Sequence, residues 1–241
     1  MVAVKYWSLI IASRATALAV ALAVVMASAV VVSAASWADE STTVDLPTPS
    51  LIPSTERMAA QLATQLANLH SYTADFTQIV LGGRNELLQQ SHGRVHIARP
   101  DRFKWVVAQP YPQTLVTVAD KLYLYDPDLA QLTVEALDAA MAGTPALILT
   151  GNSDQIDALF QVIAQDSVYS LYPKDASALF AKIDMHFNDE QQLSQLDIVD
   201  HLGQLTQVSF TNIVYNAELE ADEFQFILPP GTDVIGELHK P

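Results

Sequence analysis

The sequence predicts an α+β fold, a curved antiparallel sheet with helices laid on one side. Three observations predict it. Met58, Leu62, Leu66 and Leu69 repeat at helical spacing. A long series of short segments with alternating side chains follows from Tyr72, separated by polar turns. One apolar, helix-like interruption, Leu137 to Phe160, divides that series in two.

The elements follow in order. Residues 1–38 read as a signal peptide: Lys5 and Arg14 precede and flank an Ala/Val/Leu run over Ala15 to Val32, and Ser36-Trp37-Ala38 offers a cleavage site. An uncleaved anchor is the alternative reading of that run. Residues 39–53, DESTTVDLPTPSLIP, carry three prolines and read as a flexible leader. Residues 54–241 are expected to form one domain. Ser54 is placed to cap a helix running to about Leu69. Strands are predicted at 72–80, 91–98, 103–107, 114–118, 121–125 and 131–136, with Asp126-Pro127-Asp128 as a turn. Leu137 onward reads as short helices. Thr144-Pro145 opens one around Leu147, Ile148 and Leu149, between Gly143 and Gly151, and Ser153 caps another to about Val162. Strands resume at 168–172, 181–187, 193–200 and 204–214, and DEFQFIL reads as a last strand stopped by Pro229-Pro230-Gly231.

Charge and chemistry exclude several classes. The chain has 12 basic and 27 acidic residues. Removing residues 1–38 takes two basic residues and no acid, leaving a formal charge of −17. That disfavours nucleic acid and anionic lipid surfaces. No cysteine is present, so neither a thiol nucleophile, a cysteine-type zinc site nor a lipidated N-terminal cysteine is available. No nucleophile elbow, HExxH or phosphate-cradling glycine loop occurs. His92 and His96 lie four apart on a strand, where that spacing does not define a metal site. No catalytic residue, metal or cofactor is expected.

Apolar residues stand on both faces of several strands: Phe103-Lys104-Trp105-Val106-Val107, Leu115-Val116-Thr117-Val118 and Leu122-Tyr123-Leu124-Tyr125. Such a sheet needs cover on both faces or encloses a cavity. Phe103, Trp105, Leu115, Leu122 and Leu124 are the candidates for a cavity or its mouth. Four of the twelve basic residues crowd into the stretch from Arg94 to Lys104. Arg94, Arg102 and Lys104 read as solvated charge, with Arg102 and Lys104 also placed to touch a partner.

The segments Phe76-Thr77-Gln78, Arg99-Pro100-x-x-Phe103-x-Trp105, Gln109-Pro110, Tyr123-x-Tyr125-Asp126-Pro127-Asp128, Gln131-x-Thr133, Thr144-Pro145, and Phe224-x-Phe226-x-x-Pro229-Pro230-Gly231-x-Asp233-Val234 follow one another along the chain. In that order they resemble the outer-membrane lipoprotein carrier family, LolA. The resemblance implies an incomplete, half-open antiparallel β-barrel, covered by short helices that form a lid over a hydrophobic cavity. It implies a soluble periplasmic monomer that takes acylated lipoprotein cargo from an inner-membrane ATP-driven exporter. The cargo passes to an outer-membrane receptor lipoprotein. It also implies that Arg99 latches the lid of the empty form, with Leu147, Ile148 and Leu149 in that lid. Two rivals differ in class: a lipid-binding sensor or adaptor of the same fold, and an enzyme that modifies envelope lipid or glycan.

Overall fold

The computed structural model describes residues 55–137, 156–176 and 178–237. Helix α1 (Thr55–Ala67) leads into strands β1 (Ser71–Leu81), β2 (Leu87–Ala98), β3 (Arg102–Gln109), β4 (Gln113–Val118), β5 (Lys121–Asp126) and β6 (Gln131–Ala136). A one-turn helix α2 (Ile156–Leu159) precedes β7 (Phe160–Gln165), β8 (Val168–Pro173), β9 (Lys182–Phe187), β10 (Leu193–Val199) and β11 (Leu205–Tyr215). A 3-10 turn (Ala221–Phe224) and a short β12 (Asp233–Ile235) complete the described chain.

The twelve strands among the described residues form one sheet in the order β12-β6-β5-β4-β3-β2-β1-β11-β10-β9-β8-β7. Two sequential meanders join where β1 pairs antiparallel with β11, Phe76 opposite Phe210. The sheet does not close: β12 and β7 are its ends. At one end β12 pairs parallel with β6. At the other, the edge is covered by α1, where the Ala164 amide donates to Met58 Sδ at 3.1 Å. Covering an edge satisfies its amides and blocks further pairing.

The face of the sheet that meets α1 is the inner face. Met58, Leu62, Leu66 and Leu69, the residues that predicted the helix, are all buried there with Tyr72, Phe76, Ile97 and Phe103. The turns use carboxylate and amide side chains as expected. Asp126 Oδ1 accepts from the Leu129 amide at 3.1 Å. Asn188 Oδ1 accepts from Glu190 and Gln192, and Asp200 Oδ1 from Leu202 and Gln204.

Two elements differ from the sequence prediction. The predicted helix to Val162 gives way at Phe160 to β7, where Phe160 and Val162 are buried and Gln161 and Ile163 exposed. Pairing with β8 wins over the local helical spacing. The DEFQFIL segment is not a strand. It turns at Ala221–Phe224 and then lies across the outer face of the sheet. The expected lid residues Leu147, Ile148 and Leu149 and the Ser54 cap lie outside the described residues.

That C-terminal segment explains the doubly apolar strands. Val116, Tyr123, Leu132 and Val134 form a second buried cluster on the outer face, with Phe226 and Val234 packed on it. Phe226 meets the rings of Tyr123 and Tyr125 at 6.0 and 5.5 Å between centroids.

The basic stretch grips the same segment. Lys104 Nζ donates to the carbonyls of Glu223 (2.8 Å) and Gln225 (3.4 Å). His96 Nδ1 meets Glu223 Oε2 at 2.8 Å, and Arg102 lies 5.2 Å over the Phe224 ring. Arg94 stands near Asp75 at 3.6 Å. Arg102 and Lys104 are therefore clamps on the chain's own C-terminal strap, rather than simply solvated charges. Lys104→Met removes a charge-assisted hydrogen bond and is expected to cost roughly 1.5–3 kcal/mol. Limited proteolysis should then cut within residues 216–232 sooner than in the parent protein. Unchanged cleavage would show that the apolar contacts alone hold the strap.

A second expected outcome concerns alkali. The Tyr72 hydroxyl, in the core, donates to the Leu193 carbonyl at 2.8 Å. Burial pushes its pKa well above the usual phenol range, and burial also raises that of Tyr215. The fold thus favours the neutral phenols. Their contribution is complete below the unfolded value of about 10 and is lost as pH rises past it. Urea midpoints should hold steady up to about pH 9 and fall above about 10. Tyr72→Phe should flatten that fall while costing about 1 kcal/mol at neutral pH.

Candidate functional site

Strand pairing alone assigns the candidate residues to a face. Ala74 stands opposite Val95, Val95 opposite Trp105, Trp105 opposite Leu115, and Leu115 opposite Leu124. A neighbouring row runs from Tyr72 through Ile97 to Phe103. The Phe103 amide donates to Thr117 Oγ1 at 2.9 Å, and Thr117 stands opposite Leu122. All five sequence candidates, Phe103, Trp105, Leu115, Leu122 and Leu124, therefore lie on the inner face. Alternation at a period of two fixes this once the register is set.

Their burial differs along the rows. Phe103 and Leu122 are buried, whereas Trp105, Leu115 and Leu124 are half-buried. Trp105 is held in an aromatic cluster. Its ring stacks on Phe76, centroids 3.9 Å apart, lies parallel to Phe103 at 6.3 Å and meets Phe210 edge-on at 6.5 Å. Such offset and edge contacts fix ring orientation as well as burying area. Room for the stack comes from Gly93, which stands opposite Phe76. A Cβ there would lie 2.6 Å from the Phe76 ring and against the Val106 carbonyl.

Arg99 stands where β2 ends. Its amide donates to the His70 carbonyl at 2.9 Å, tying the strand end to the junction after α1. Its guanidinium is half-buried beside Tyr215, which packs against the inner core. Burial lowers the Arg99 pKa, with Tyr215 working the other way. A desolvated guanidinium is costly to bury and favours carbonyl or carboxylate partners.

The inner face changes character toward one end and one edge. Gln113 Nε2 donates to Asp126 Oδ2 at 3.1 Å. Gln78, Gln89, Ser91, Pro110 and Tyr111 surround a small indentation beside them. On β6, Gln131, Thr133 and Glu135 occupy the inner side, Thr133 continuing the Trp105–Leu115–Leu124 row. The outer faces of β8 to β10 are polar: Ser170 bonds Asp184 (2.6 Å), Lys182 pairs with Asp184 (2.7 Å) and His186 with Asp197 (3.1 Å). Among the described residues, no group of three or more His, Asp or Glu is placed to hold a metal ion.

Sequence reasoning singled out Trp105 but not its supports. Phe76 stands out in the sequence only within a motif, and nothing local marks Gly93, Phe210 or Tyr215. Alternation within 72–80 would have put Phe76 on the Tyr72 face. Nothing local joins it to Phe210, which lies on the neighbouring strand but far along the chain.

Residues 67–227 match the family model described as outer membrane lipoprotein carrier protein LolA. The outer-membrane lipoprotein carrier protein of Chromohalobacter salexigens is 38% identical over 183 residues, 74% of this chain and 87% of that protein. The one from Bordetella avium is 37% identical over 180 residues, 73% and 85% of the two chains. A crystal structure of a LolA superfamily protein from Nitrosomonas europaea aligns with a TM-score of 0.42 at 11% identity, covering 70% of this chain and 98% of that one. On the extent and identity of the sequence matches, the chain belongs to the LolA family.

Proposed function

We propose that this protein is a periplasmic carrier of lipoproteins. It shields the acyl chains of lipoproteins released from the inner membrane and delivers them to a receptor at the outer membrane. It is a carrier and not an enzyme. The observation that carries this reading is the apolar inner face of an unclosed sheet in a chain of this family. The acyl chains lie along the Trp105–Leu115–Leu124 row.

The energetics set what such a carrier must do. Burying a methylene is worth about 0.8 kcal/mol, so a chain of roughly fifteen methylenes would gain on the order of 12 kcal/mol if fully enclosed. Two or three such chains would never leave. Release therefore requires incomplete burial, or an opposing interaction recovered when the cargo departs. Arg99 supplies the second by latching the lid in the empty form. The donor is an ATP-driven exporter and the acceptor a receptor lipoprotein. Both present positive charge to a carrier of formal charge −17 once residues 1–38 are removed.

The test is purification from the periplasm followed by intact-mass measurement of what comes with the protein. A bound triacylated or diacylated protein is the expected result. Recovery of the chain with only a non-acylated protein partner, under conditions where lipoproteins are in transit, would favour a sensor instead.

A further inference from the structure

We propose that Gln131 and Thr133, on the inner side of β6, form a polar rim that hydrogen-bonds the ester and amide groups at the head of a diacylglyceryl-cysteine lipid. The inference rests on the carrier reading and says where the lipid head sits and what recognises it. Along one cross-strand row the inner face runs Trp105, Leu115, Leu124 and then Thr133, with the exposed Ile235 of β12 beyond it. The change from apolar to polar takes one strand spacing, about 4.8 Å. It is confined to this side of β6, because Leu132 and Val134 on the other side are buried under the C-terminal strap.

The chemistry fits a neutral, acceptor-rich head. Acyl chains drawn onto the apolar row bring their ester carbonyls with them. A carbonyl taken from water without a donor is costly, so a wholly apolar rim would oppose deep insertion. Gln131 Nε2 and Thr133 Oγ1 are half-buried and lie 3.5 Å apart, a separation too long for a strong bond between them. The amide offers two donors and the hydroxyl a donor and acceptor, enough for ester carbonyls and an amide N–H together. Asp126 and Glu135 flank the pair on the same face. Asp126 is already bonded to Gln113 and to the Leu129 amide, whereas Glu135 is exposed. Three carboxylates beside the rim, Asp126, Glu135 and the Asp233 that stands opposite Gln131, repel a free fatty-acid carboxylate and leave an uncharged glyceryl ester as the favoured head.

The experiment separates chain burial from head recognition. Diphenylhexatriene fluorescence reports binding of a purely apolar probe to the mature chain. Displacement by a synthetic S-dipalmitoylglyceryl-cysteine peptide reports the lipid head, with palmitate as a second competitor. For Gln131→Leu with Thr133→Val, diphenylhexatriene affinity should stay within twofold while the lipopeptide weakens about tenfold. The lipopeptide's advantage over palmitate should shrink accordingly. Thr133→Val alone, close in shape to the parent, should weaken the lipopeptide by about threefold, and Gln131→Asn with Thr133→Ser should restore most of the loss. Equal lipopeptide binding in parent and variant overturns the rim, as does parallel weakening of both probes. A parent protein that binds neither diphenylhexatriene nor lipopeptide refutes the carrier reading itself, before any variant is compared.

Discussion

Gly93→Ala is expected to cost at least about 3 kcal/mol, near the upper end for inserting a group into a packed site. The added Cβ would meet the Phe76 ring on one side and the Val106 carbonyl on the other. Neither yields easily. Val106 belongs to the β3 backbone, and a shift in register already falls between His92 and Gly93 in the pairing of β2 with β3. Phe76 is pinned against Trp105 at 3.9 Å. Relief therefore means separating β2 from β3 or breaking the stack, and either disturbs the centre of the sheet. Trp105 is the only tryptophan outside the first 38 residues, so in a chain lacking those residues its emission reports the site directly. The expected result is a lower urea midpoint together with a changed native emission. A Gly93→Ala protein with the parent's midpoint would mean that the strands tolerate the extra atom. Phe76→Leu should restore part of the stability lost by Gly93→Ala, because it removes one of the two contacts.

Arg99→Leu is expected to have the largest functional effect. The side chain sits half-buried at the end of β2, beside Tyr215 and the inner core. If it latches the lid of the empty carrier, its loss removes the interaction that opposes retention of cargo. A hydrogen bond from a charged group contributes roughly 1.5–3 kcal/mol, so release should slow by about ten- to a hundredfold. Cargo uptake should remain. The measurement is transfer of a radiolabelled lipoprotein from the loaded carrier to receptor-bearing membranes, with loading scored separately. Normal transfer by Arg99→Leu would sink the latch. Arg99→Lys should fall between, since an ammonium keeps the charge but lacks the planar fork that holds two carbonyls at once. The same leucine variant is expected to fold, because it replaces a partly desolvated charge with an apolar group.

Much of the local structure was legible in the sequence. The helical face of Met58, Leu62 and Leu66 and the strand at 131–136 were read from periodicity, which depends only on neighbours along the chain. The asparagine and aspartate turns were legible for the same reason: the side chain bonds an amide a few residues on. The family was also legible from collinear motifs, and the match over residues 67–227 bears the family out. The failures came where a distant segment decided the outcome. Residues 160–165 became a strand because β8 and α1 were there to pair with it and cover it. The DEFQFIL segment became a strap because an apolar outer face lay open beneath it.

The basic stretch marks the boundary between the two kinds of information. Its sequence determined that residues on alternate sides of β2 and β3 would differ, Phe103 and Trp105 on one side, His96 and Lys104 on the other. What each side would meet was settled only by the tertiary structure. One side joins Phe76 and Phe210 in the inner core, and the other clamps Glu223, 127 residues beyond His96. Periodicity is carried by adjacent residues, and so one sequence suffices to read it. The partner across a sheet face is chosen by the packing of the whole chain, and no local pattern encodes it.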